Sequence, residues 1–79
     1  CNNNTEKYTL KFDANGGTGN MASLLLEYAE FKILPSCSFT KEGCSFNGWN
    51  TKADGTGTSY ANKSQITLTE DITFYAQWK

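Results

Sequence analysis

The chain has 79 residues, which gives room for one small domain and no large core, so an enzyme built from it would have to be minimal. Seven basic residues against eight acidic ones leave a formal charge of -1, which offers no footprint for nucleic acid or for docking on anionic lipid. Histidine is absent, removing Ser–His and Cys–His catalysis and the commonest metal ligand, and three cysteines with no C-x-x-C pair build no structural zinc site.

In chain order, residues 1–7 (CNNNTEK) read as a polar linker without an apolar anchor, and residues 8–79 as a single domain. The stretch YTLKF alternates, placing Tyr8, Leu10 and Phe12 on one side and Thr9 and Lys11 on the other, which predicts a half-buried strand. DANGGTGN follows. A phosphate loop would need a following Lys-Ser/Thr pair or a helix, and a calcium loop would need more carboxylates than Asp13, so the expectation is a hairpin connection whose Gly and Asn residues supply positive φ.

LLLEYAEF, GCSFNGW and SQITLT are three further short runs rich in β-branched and aromatic residues, and turn signals stand at Asn15-Gly16, Glu42-Gly43 and Asp54-Gly55. The apolar run at Leu24 to Leu26 is far short of the roughly 20 residues a membrane-spanning helix needs. Between Glu27 and Lys41 alternation fails and Pro35 interrupts, leaving room for one or two helical turns at most, with Phe31, Ile33, Leu34 and Phe39 as a lid for the sheet. ITFYAQW closes the chain with Ile72, Phe74, Ala76 and Trp78 on one face. A compact sheet of about five strands is the result.

The first-strand FDANGG, the central F-x-G-W-N-T at Phe46 to Thr51, the loop ADGTGTSY at Ala53 to Tyr60 and the terminal FYAQW at Phe74 to Trp78 occur in order with compatible spacing. Together they make the chain resemble the Listeria–Bacteroides repeat, the internalin B-repeat module of large bacterial surface proteins, from about Tyr8 to Trp78. The resemblance implies an α+β, mainly β, small β-grasp-like domain, a mixed sheet of about four or five strands with a short helical or irregular crossover. It also implies a non-enzymatic role in adhesion, spacing or protein interaction at an extracellular or bacterial cell-surface location, with no cofactor. Ala29 stands where the repeat commonly has glycine, Ala22 where it has proline, and Cys44 and Cys37 where it has an aromatic and a polar residue.

Cys37 and Cys44 flank SFTKEG, and a turn there would bring them within bridging range, so a disulfide in an exported protein is expected, against two core-filling thiols. Cys1 ahead of a polar linker matches the start of a mature lipoprotein, and a lipid there would be the chain's route to a membrane. The sequons at Asn3 and Asn62 read as chance in a bacterial chain. Glu70-Asp71 is the only adjacent acid pair, and neighbours on a strand point to opposite faces, so it forms no acid/base couple.

Tyr75, with Thr73 and Gln77, lies opposite the buried face of the last strand and is the expected interaction surface, with Thr9 and Lys11 beside it. Trp49 follows a glycine that breaks the alternation after Phe46; inward is preferred, with an outward indole as a candidate member of that surface. The expected partner is an unidentified protein or host surface, reached through such a face or an open strand edge, with carbohydrate binding through exposed aromatics as the alternative.

Overall fold

In the computed structural model, which describes residues 6–79, the alternating runs near both ends become neighbouring strands at the middle of one sheet. The strands in chain order are β1 (Lys7–Asp13), β2 (Leu24–Glu27), β3 (Phe31–Ile33), β4 (Phe46–Asn50), β5 (Ser59–Tyr60), β6 (Gln65–Thr67) and β7 (Ile72–Trp78). Five form a sheet in the order β2-β1-β7-β4-β5, and β3 pairs with β6 in a separate two-stranded ribbon.

β1 and β7 run parallel, with Leu10 opposite Ile72 and Phe12 opposite Phe74, while the other pairings are antiparallel. The sheet is therefore mixed. Alternation fixes its inner face: Leu10, Leu26, Trp49, Phe74 and Ala76 are buried against Leu34, Phe39, Ile66 and Leu68, which arrive from the ribbon and the segments beside it. Residues such as Lys11 and Thr73 face outward.

No helix occurs among the described residues, so the helical half of the α+β expectation is corrected. Pro35 denies an amide to the crossover, and Ser36, Ser38 and Thr40 favour local turns over helix. The crossover takes its irregular form, and Leu34 and Phe39 still reach the core from it. The expected lid is thus half present, because Phe31 and Ile33 are exposed.

The glycine loop is part of a long connection between antiparallel neighbours β1 and β2. Asn15 (φ 51°) and Gly16 (φ 94°) make a tight turn closed by the Gly17 amide donating to the Ala14 carbonyl at 3.0 Å. Thr18 then exchanges backbone hydrogen bonds with Thr40, at 2.7 and 2.9 Å, tying this loop to the crossover. A Cβ at Gly17 would stand 2.6 Å from the Thr40 carbonyl oxygen and 2.7 Å from the Trp78 ring, so the close approach demands glycine.

Candidate functional site

Trp49 is 0% exposed, which corrects its place among candidate surface residues. Its register explains this: the ladder between β4 and β7 slips between Phe46 and Trp49, at Gly48 with φ 107°, and the bulge returns Trp49 to the inner face opposite Ala76. There it meets Phe12 at 5.0 Å, Phe46 at 4.9 Å, Phe39 at 5.9 Å and Phe74 at 6.4 Å between ring centroids. The ring is a core residue, and no sugar reaches it.

The other three expected surface residues, Thr73, Tyr75 and Gln77, lie on the outer face of β7 and are half-buried. Tyr75 borders a shallow hollow lined by Thr51, Lys52, Ala53 and Asp54. A second hollow joins Thr9 and Lys11 with Asp71 and Thr73. In it an Asp71 carboxylate oxygen accepts the Thr9 amide at 2.8 Å, closing the strand ladder where β7 begins. Both hollows are open.

The wall of the first hollow is held by a buried carboxamide. Asn50, 1% exposed, accepts the Lys52 and Gly57 amides through Oδ1, each at 2.9 Å, while its Nδ2 faces the Gly55 and Gly57 carbonyls and Ser59 Oγ at 3.2, 3.4 and 3.2 Å. Asn15 Nδ2 donates to the Ala53 and Ala76 carbonyls, joining the glycine loop to the same wall. Asp54 accepts the Thr56 hydroxyl and amide, and these bonds hold its carboxyl below the usual carboxylate range. The wall is a hydrogen-bonded scaffold.

Among the described residues, no group of three or more His, Cys, Asp or Glu side chains is placed to hold a metal ion. Cys37 and Cys44 are free thiols, so the expected bridge is not formed. Cys37 is half-buried with Sγ 3.8 Å from the Phe39 carbonyl oxygen, whereas Cys44 is exposed in the turn after Lys41. Burial pushes the Cys37 thiol above its ordinary pKa, with the Phe39 contact opposing. Cys1 lies outside the described residues.

The exposed large hydrophobic residues are elsewhere: Leu25 (64%), Tyr28 (59%), Phe31 (68%) and Ile33 (59%). All four fall within one ten-residue stretch, on edge strand β2, the turn after it, and β3. The sequence reading placed LLLEYAEF among the short strand-like runs and Phe31 and Ile33 in the lid, and marked none of the four as an exposed apolar surface. The available signal was the consecutive leucines, because an alternating strand cannot bury all of Leu24, Leu25 and Leu26 on one face.

The family model for the Listeria-Bacteroides repeat domain matches residues 8–77. Among curated proteins, a "Putative Gly-rich membrane protein" of Evansella cellulosilytica is 34% identical over 77 residues. That alignment covers 92% of this chain and 9% of the relative, so the chain corresponds to a small part of that protein's length. No solved structure matches the chain.

Proposed function

Because the chain belongs to the Listeria-Bacteroides repeat domain family, we propose that it is a non-catalytic module of a bacterial cell-surface protein, working by protein–protein contact and spacing. The observation that carries this reading is the concentration of exposed apolar side chains, Leu25, Tyr28, Phe31 and Ile33, along strand edges and the turn between them. Exposed apolar groups clustered this way mark surfaces that other proteins cover. The relative's name supports a surface or membrane-associated setting, and adhesion is the use such contact would serve.

The test is binding of the labelled chain to cell surfaces and to proteins extracted from them, with Leu25→Ser and a Phe31→Ser/Ile33→Ser variant as comparisons. Saturable binding lost in a folded variant is the expected outcome. Saturable binding that survives both variants overturns the assignment of this surface. The carbohydrate reading retains Tyr75 beside Lys52 and Asp54, and glycan-array binding abolished by Tyr75→Ala would favour it.

A further inference from the structure

Among the described residues, β3 is hydrogen-bonded along one side only. Its register with β6 sets Phe31 opposite Thr67, Lys32 opposite Ile66 and Ile33 opposite Gln65, and beyond it the Leu34 amide donates to the Ser64 carbonyl at 2.9 Å. Hydrogen-bonded and non-hydrogen-bonded pairs alternate in an antiparallel ladder, so Lys32–Ile66 is the bonded kind and its two neighbours are not. The N–H and C=O groups of Phe31 and Ile33 therefore point away from β6. No turn, loop or side-chain hydrogen bond among the described residues uses them. The residues that carry these free groups also carry exposed apolar side chains.

We propose that β3 is a strand-addition site whose occupant is an extended segment of a partner protein with an apolar–acidic–apolar pattern. The free backbone groups call for a strand, and the pattern follows from the side chains flanking them. Phe31 and Ile33 project to one face and would pair with apolar residues, while Lys32 projects to the other and would face the residue between them.

A second copy of this chain fits badly. Antiparallel self-pairing that keeps the free groups facing each other has three nearby registers, and the one placing Ile33 opposite Ile33 sets Phe31 against Pro35, which has no amide to donate. Placing Phe31 opposite Ile33 of the copy sets Lys32 against Lys32, and like charges directly opposite are destabilising. Placing Phe31 opposite Phe31 sets Ile33 against Ala29, whose φ of 60° lies outside the strand region and whose amide already donates to the Leu68 carbonyl. Lys32 thus guards the edge against its own kind. An acidic residue at the centre of the incoming strand turns that guard into a cross-strand partner.

The proposal rests on the protein-contact reading, and its test separates the two. The isotope-labelled chain is titrated with a capped Thr-Val-Glu-Val-Thr peptide and with its Thr-Val-Lys-Val-Thr counterpart while amide resonances are followed. The expected result is millimolar binding with shifts centred on the Phe31 and Ile33 amides, roughly two- to five-fold tighter for the acidic peptide, as a single cross-strand charge pair gives. The preference reverses in Lys32→Glu. Unmoved Phe31 and Ile33 amides, or equal response to both peptides, overturns the proposal. Concentration-dependent shifts of those amides in the wild-type chain alone would assign the edge to a second copy instead. If the peptides fail while Phe31→Ser/Ile33→Ser still abolishes surface binding, strand addition falls and the contact reading stands.

Discussion

Replacing Asn50 by alanine removes the clip that shapes residues 51–58. The Oδ1 atom accepts two backbone amides at 2.9 Å, and the two Nδ2 hydrogens serve two of three acceptors between 3.2 and 3.4 Å. Four simultaneous bonds at about 0.5 to 1.5 kcal/mol each set the scale, and loop exposure lets water recover part of it, so Asn50→Ala is expected to cost about 2 to 4 kcal/mol. In a domain this size that lowers the melting temperature by about 10 to 25 °C. Urea unfolding followed by tryptophan fluorescence measures the free energy, and hydrogen exchange at the Lys52 and Gly57 amides locates it. A loss under about 1 kcal/mol with protection at those amides intact would refute the clip.

Gly17→Ala drives a methyl group into the Thr40 carbonyl and the Trp78 ring and is expected to cost about 1 to 3 kcal/mol, read by the same unfolding assay. Ala29→Gly relieves a left-handed conformation that costs a non-glycine residue about 1 to 2 kcal/mol, against about 0.4 to 1 kcal/mol of added chain entropy in the unfolded state, so denaturation should show a small net gain in stability. Alkylation without reductant should label Cys44 first and Cys37 later, with the Cys37 rate rising only at higher pH because the thiolate is the reacting form. The folded Cys37 keeps its proton at a pH where the unfolded chain has lost it, so its contribution to stability declines as pH rises above the ordinary cysteine value.

The strands at the two ends of the domain were legible because an alternating period needs no tertiary information: Leu10 and Phe74 are buried as YTLKF and ITFYAQW require. The glycine turns at 16, 43 and 55 were legible for the same local reason, and each has positive φ. The parallel pairing of β1 with β7 was not, since it joins residues about sixty positions apart and leaves no trace in either run. LLLEYAEF read as one element, yet the turn at Tyr28 and Ala29 sends its second half to a different sheet. Asn50 escaped notice because a lone amide shows its importance only through the loop folded over it. The Tyr75 face was placed on the correct side of its strand, but the exposed apolar stretch from Leu25 to Ile33 depends on which strands become edges, a property of the whole sheet.

The parallel pairing has a mechanical consequence. β1 meets β7 through Leu10–Asp13 against Ile72–Tyr75, so Lys7 lies ahead of the shared ladder at one end while Trp78 lies past it at the other. A pull transmitted through the flanking backbone would draw the two strands past each other lengthwise. All the hydrogen bonds between them would then carry load together, whereas a hairpin pulled from its open end parts one bond at a time. Arranged in this way, the module would behave under tension as a lap joint, yielding abruptly at a threshold force and leaving the connected chain extended by the length it had stored.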